Sequence, residues 1–157
     1  MRTVKLVAGL VGAALFASGC DTYFDYQRVR VTEAQEDGFL EDGDELILAT
    51  IDFRVRPGVP GSAFATFNPR SLDEAASSLE DGDIKTIDNS KGLYVFNDVQ
   101  IASTASLLQG QAPEIIGQVV LGIENDLTPR SIIQDALENA ATTVQANVVT
   151  LAAVSAI

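Results

Sequence analysis

Alternating apolar and polar residues predict strands in the first two thirds of the chain. The clearest alternation runs over 46–56, where the apolar residues fall on one side of a strand and the polar residues on the other. A turn rich in proline and glycine at 57–61 ends that strand, and a shorter strand is predicted over 63–67. Further strands are predicted over 29–31, 84–87 and 93–101.

Apolar residues at helical spacing predict helices later in the chain. Ser71 followed by Glu74 is a capping-box pattern, so a helix of about two turns is predicted to start at Ser71. Pro113 suits a first helical position, and the apolar stripe behind it predicts a longer helix over 115–123. Two glycines within that stretch either weaken the helix or allow another element to pack closely against it.

The last predicted helix is unusual in its charge. It starts at Thr128-Pro129, a capping residue followed by proline, and the last nineteen residues, 139–157, carry no charge. Its apolar stripe consists of Ile133, Leu137, Ala140, Ala141, Val144, Val148 and Leu151. Spacings of four and three are those of a helix that packs along one seam. The stripe therefore packs either on the protein's own sheet or on another chain, which includes self-association through this helix.

These elements predict an α+β fold. We expect a small, mostly antiparallel β-sheet or sandwich, built from residues between 29 and 101, followed by two C-terminal helices that pack on it. A chain of 157 residues suits one domain with a modest core. Because the sequence has a single cysteine, no internal disulfide can support that core.

The first twenty residues have the organisation of a secretory signal. Arg2 and Lys5 form a basic start, and an uncharged apolar run of 12 residues follows over 6–17. Ala17-Ser18-Gly19-Cys20 is then a small-residue cleavage site. As a helix the apolar run is about 18 Å long, which is too short to cross a bilayer.

This segment resembles the signal and lipobox of bacterial lipoproteins, although Ala17 stands where that family usually has leucine. The resemblance implies lipid on the sulfur of Cys20, cleavage just before it, and attachment to the extracytoplasmic side of a cell membrane. The alternative is an ordinary secretory signal that leaves Cys20 as an unpaired thiol. The predicted division is a signal peptide over 1–19, a tether over 20–28 and a single acidic globular domain over 29–157.

The charge of the chain limits its partners. The net charge is −12, and removal of 1–19 takes away two basic residues and no acid, which leaves −14. An acidic surface disfavours nucleic acid and is repelled by anionic lipid headgroups. Membrane attachment must then come from acyl chains, in which each buried methylene contributes about 0.8 kcal/mol.

Several residue types that enzymes use are missing from the sequence. There is no histidine, the only cysteine is expected to carry lipid, and no glycine-rich phosphate loop is present. Paired carboxylates, as in glycoside hydrolysis, are the remaining route, and no pair stands out among the 22 acidic residues. We therefore expect a binding or structural module rather than an enzyme, with a carboxylate-pair hydrolase as the weakest alternative.

The acidic segment 33–45 is the strongest candidate for a ligand site. It holds seven carboxylates and two glycines but no basic residue. The candidate ligands for Ca²⁺, a cation that takes six to eight oxygens, are Asp37, Asp42 and Asp44. Asp81 and Asp83 form a second, smaller cluster. The alternative is a solvated loop that keeps the domain soluble and binds no cofactor.

Four arginines alternate on two of the predicted strands. They are Arg28, Arg30, Arg54 and Arg56. If the two strands pair, these side chains form a ladder on one face, with Asp52 among them. Such a ladder is either a patch for an anionic ligand or simple cross-strand charge pairing, worth about 0.2–1 kcal/mol per pair.

Overall fold

A computed structural model describes the protein over 9–10, 20–32, 44–80, 82–87, 94–100, 102–124 and 129–153. Its strands are β1 (Gly9–Leu10), β2 (Cys20–Tyr23), β3 (Arg28–Arg30), β4 (Asp44–Val55), β5 (Phe64–Phe67), β6 (Glu74–Leu79), β7 (Ile84–Thr86), β8 (Val95–Val99) and β9 (Ile115–Glu124). Its helices are a 3₁₀ turn (Pro69–Leu72), α1 (Thr104–Leu108) and α2 (Arg130–Ala153). The predicted α+β class, with a mostly antiparallel sheet, is confirmed.

The main sheet is built around β4. Strand β9 runs antiparallel to it through ten consecutive residue pairs, from Leu46 opposite Glu124 to Val55 opposite Ile115. On the other side of β4, β5 pairs with the second half of the strand and β6 with the first half. Strand β1 pairs with the outer edge of β9. Because successive side chains of a strand point to opposite faces, β4 and β9 each contribute to two separate layers.

One face of this sheet packs on α2. The buried side chains of α2 are Ile133, Leu137, Ala141, Val148 and Ala152. They pack with the buried β4 residues Ile47, Ala49, Ile51 and Val55 in two adjoining clusters. The predicted seam is therefore confirmed to pack on the protein's own sheet. The prediction is wrong for the last member of the seam, Leu151, because that side chain is 47% exposed. The neighbouring Ala152 is buried instead.

The opposite face of the sheet is covered by β2 and β8, which form a two-stranded antiparallel pair. Phe96 and Val99 of β8 pack there on Ile116 of β9. Between the paired positions one residue of β2, Asp21, lies opposite two of β8, Asn97 and Asp98, and the extra residue is accommodated where Asp98 has a positive φ of 51°. Such a bulge changes the alternation of side chains. It allows Phe96 and Val99, three positions apart, to face the same core.

The residues predicted as a tether, 20–28, include strand β2 and the first residue of β3. Cys20 is the first residue of β2, and it lies opposite Val99. Further along, the Phe24 ring packs edge-on against Phe96, with ring centroids 6.1 Å apart. Phe24 and Tyr26 are partly buried there, so their rings remove apolar surface from water.

The predicted helix from Ser71 is wrong. The Ser71 hydroxyl accepts a hydrogen bond from the backbone N–H of Thr50 at 2.9 Å and donates one to the Asn68 carbonyl at 2.6 Å. Ser71 lies within the 3₁₀ turn, which is capped by Asn68, and Glu74–Leu79 forms β6. The small alanines and serines of β6 have only a weak local preference for helix, and pairing with β4 overrides it.

The predicted helix over 115–123 is also wrong, because this segment is β9. A strand buried on both faces is a continuous apolar run, which periodicity does not separate from a buried helix. The packing explains the glycine at 117, because a β-carbon built there would lie 2.3 Å from Cζ of Phe53. The Phe53 ring therefore lies directly over the Gly117 backbone, and the close packing that the glycines allow is a strand–strand contact.

Candidate functional site

The predicted calcium ligands lie mostly outside the described residues. This holds for Asp37 and Asp42, while Asp44 opens β4 opposite Leu79. Among the residues that the structure describes, no group of three or more acidic or cysteine side chains is placed to hold a metal. Calcium binding by 33–45 therefore stays a prediction.

The second acidic cluster is represented by Asp83, since Asp81 lies outside the described residues. The Asp83 carboxylate accepts the Glu80 backbone N–H at 3.2 Å and lies 3.1 Å from the Lys85 ammonium. These hydrogen bonds lower its pKa, with the bond to Lys85 as the main cause. The carboxylate thus has partners within its own turn.

The predicted arginine ladder is wrong, because the two strands do not pair. Strand β3 pairs with β7, so Arg28 lies opposite Thr86 and Arg30 opposite Ile84. Arg54 of β4 and Arg56, just after it, instead contact residues of β8 and of the segments that flank the following loop. The Arg56 guanidinium donates to Oε1 of Gln100 at 3.0 Å.

A buried polar cluster lies on the face of the main sheet opposite α2. Asp52 of β4 and Gln118 of β9 are opposite each other in the ladder, and their side chains are 0% and 3% exposed. The Gln118 amide nitrogen donates to Oδ1 of Asp52, and its amide oxygen accepts from the Tyr26 hydroxyl. The chain Tyr26–Gln118–Asp52 therefore joins the segment after β2 to the middle of the sheet.

The electrostatics of this cluster follow from burial. Burial raises the pKa of Asp52 to about 7, and the hydrogen bond from Gln118 opposes that shift. The second carboxyl oxygen, Oδ2, has no hydrogen-bond partner within the described part of the chain. Burial and the nearby Asp52 charge together raise the pKa of Tyr26 to about 12. Near neutral pH the cluster is thus a phenol, an amide and a carboxyl group that is partly protonated.

An ion pair lies beside the cluster on the same face. Nε and Nη2 of Arg54 contact Oε1 of Glu114 at 2.8 and 2.7 Å, and the Glu114 side chain is 3% exposed. The other carboxylate oxygen accepts the Gln100 backbone N–H at 2.7 Å, and Arg54 Nη1 donates to the Asn97 carbonyl at 3.1 Å. The pair therefore fastens the end of β8 to β4. A buried carboxylate with a bidentate arginine and a backbone donor is well satisfied.

The arrangement is better suited to fastening than to catalysis. The Asp52 carboxyl is sealed from solvent, so it presents no acid or base to a dissolved substrate. Its hydrogen-bond partner is Gln118, which in turn accepts from Tyr26 in the segment that begins at Cys20. The alternation of residues predicted that Asp52 lies on the polar face of its strand. It did not predict that β2 and β8 cover this face. The aromatic residues of 23–26 and 94–96 were the available signal, because they provide the apolar surface of a second layer.

Comparisons with protein-family models, with curated proteins and with solved structures found no match. In the described ranges, no helix combines the length and the apolar character that crossing a bilayer requires. The function is therefore inferred from the residues and their arrangement.

Proposed function

We propose that this protein is an extracytoplasmic lipoprotein, held at the membrane by lipid on Cys20, which acts as a binding or structural module rather than an enzyme. The observation that carries the proposal is the position of the only cysteine. Cys20 directly follows a basic segment, a short apolar segment and Ala17-Ser18-Gly19. It is also the first residue of β2, opposite Val99.

The position of Cys20 affects how the domain is held. Strand β2 pairs with β8 from its first residue, and the Asp21 carboxylate accepts the Asp98 backbone N–H at 3.3 Å. Tyr26 then connects the same segment to the buried cluster. A lipid on Cys20 is thereby joined to the domain without a flexible spacer. An anchor of this kind fixes which end of the domain faces the membrane, as a binding or structural module at a surface requires.

The first test is covalent. The full chain, expressed in a bacterial host, is expected to yield a mature protein that starts at Cys20, carries acyl mass and partitions into the detergent phase. Cys20→Ser is expected to give an uncleaved or soluble species. Thr22→Ser, two positions along the same strand, serves as the matched control and retains the lipid.

Membrane fractionation provides the opposing outcome. The proposal is wrong if wild type carries no acyl mass on Cys20 and the Cys20→Ser variant still sediments with membranes after a carbonate wash. An ordinary secreted protein would instead release both forms into the soluble fraction, with a free thiol in wild type that reacts with maleimide.

A further inference from the structure

The loop between β8 and β9 is uncharged in an otherwise acidic protein. No charged residue occurs between Asp98 and Glu114. The loop contains α1, whose Leu107 and Leu108 are 52% and 84% exposed. An exposed pair of leucines costs solubility unless a partner covers it. Among the described residues, Leu108 is the most exposed large apolar side chain.

The base of this loop is closed and fixed. Gln100 donates its backbone N–H to Oε2 of Glu114 at 2.7 Å, and the Glu114 backbone N–H donates to the Gln100 carbonyl at 3.4 Å. The ion pair of Glu114 with Arg54 holds the same point on the main sheet. Residues 102–113 thus form a compact surface loop with its two ends together, a class of loop that is frequently functional.

The base of the loop adjoins the anchor. Cys20 lies opposite Val99, and opposite residues of an antiparallel pair have α-carbons about 4.5–5.5 Å apart. Gln100 is the next residue, and Thr104, the start of α1, follows within at most about 14 Å of extended chain. The loop and the anchored cysteine therefore leave the domain from the same end of β8.

We propose that the loop 102–113 is a membrane-contact loop, which inserts Leu107 and Leu108 into the interface of the bilayer that holds the lipid of Cys20. The proposal rests on the lipidation proposed above. The bilayer is the favoured occupant for two reasons. The anchor places the loop at its surface, and the loop is free of the negative charge by which the rest of the domain is repelled from anionic headgroups.

The absence of tryptophan from the sequence allows a direct test. Leu108→Trp introduces a single tryptophan into the lipidated chain, which is purified from membranes and reconstituted in phosphatidylcholine vesicles. Its emission is expected to shift to shorter wavelength and to be quenched several-fold more by brominated acyl chains than that of Ile132→Trp. Ile132 is the matched control: it is 58% exposed and lies on α2, on the other side of the sheet.

Acyl mass is measured on the same samples, so failure of the loop proposal can be told from failure of the lipoprotein proposal. Equal emission and equal quenching of the two variants, in protein that carries lipid on Cys20, overturns the loop proposal and leaves the lipoprotein proposal standing. Shielding of Leu108→Trp in native membranes but not in pure lipid vesicles also overturns it, since a protein then covers the leucines. Absence of acyl mass overturns both proposals together.

Discussion

The two faces of the main sheet are held by different physical means. Towards α2, β4 presents Ile47, Ala49, Ile51 and Val55, which belong to two clusters of apolar side chains. Towards β2 and β8, the same strand presents Asp52 and Arg54, which are held by an amide and a carboxylate. The first face gains its stability from the removal of apolar surface from water. The second depends on hydrogen bonds and on charge, so it responds to pH.

The two faces also differ in what a substitution on each is expected to affect. The α2 face is a sealed core, and substitutions there act on folding. The opposite face carries the segment that begins at Cys20 and the base of the loop 102–113, and both lead to the proposed membrane side. Changes on this face are therefore expected to affect how the domain is fastened to its anchor, in addition to its stability.

The largest expected effect is on the α2 face. Val144 packs between the two apolar clusters, so Val144→Asp places an unpaired carboxylate against the sheet. We expect a loss of several kcal/mol in the free energy of unfolding, measured by urea denaturation. Val149→Asp, on the side of α2 where Val149 is 48% exposed, is the control and should change that free energy by less than about 0.5 kcal/mol.

The same variant tests whether a partner covers this seam. If Val144→Asp stays folded, with the stability of wild type, and shifts to a smaller species in light scattering, then the seam faces another chain in solution. In that case the contact between the α2 seam and the main sheet does not stabilise the domain.

The second effect concerns the opposite face and pH. The pKa of Asp52 in the folded protein, about 7, lies above its ordinary value of 3.8. The folded state therefore binds the proton more tightly than the unfolded state. The stability that this provides is fully present below about pH 4 and is lost as the pH rises through about 7. A shift of this size corresponds to a change on the order of 4 kcal/mol in the free energy of unfolding.

Asp52→Asn removes this dependence because an amide does not titrate. Wild type is expected to lose this stability between pH 4 and pH 8, whereas the variant has no such stability to lose. The free energy of unfolding of the variant minus that of wild type should therefore rise over this range, as measured in urea at each pH. Asp73→Asn changes the net charge equally at a carboxylate whose side chain is 51% exposed, and serves as the control. Parallel pH curves for wild type and Asp52→Asn would show that this buried carboxyl does not couple folding to pH.

A third effect tests the contact between β4 and β9. Gly117→Ala places a methyl group 2.3 Å from the Phe53 ring, which must shift within a packed layer. We expect a loss of about 1–3 kcal/mol in the free energy of unfolding. Gly122→Ala is the matched control, because its methyl group would meet Leu46 Cδ1 at an ordinary 3.7 Å. Recovery of stability in the double variant with Phe53→Leu would confirm the cause, and equal losses for the two glycines would contradict it.

The sequence predicts one of these two faces far better than the other. The helical spacing of α2 and the alternation of β4 locate the apolar core, because burial on one side leaves a periodic pattern. Strand β9 has no such pattern, since it is covered on both faces. Its apolar run fits a helix or a strand equally, and the long ladder with β4 shows that a strand forms.

The candidate residues differ in how far the sequence can predict them. Lipidation of Cys20 stays a prediction, and it rests on residues that are local in sequence. The cluster of Asp52, Gln118 and Tyr26 joins residues that are 66 and 92 positions apart, and no local pattern relates them. The same limit applies to Glu114, whose role at the base of the loop depends on Arg54 and Gln100 meeting in the fold.

The smallest expected effect measures how firmly the anchored segment is fastened. Tyr26→Phe removes the hydroxyl that donates to Gln118 and leaves the half-buried ring in place. The loss should be about 1 kcal/mol in the free energy of unfolding, the usual net value of one hydrogen bond. Tyr23→Phe, at a ring that is 56% exposed, is the control and should have almost no effect. Hydrogen exchange adds a local measurement: amide protons of β2 should exchange faster in Tyr26→Phe, while those of α2 keep their wild-type rates. If both variants leave exchange in β2 unchanged, the pairing of β2 with β8 alone fixes the segment, and the polar cluster stabilises the sheet without fastening the anchor.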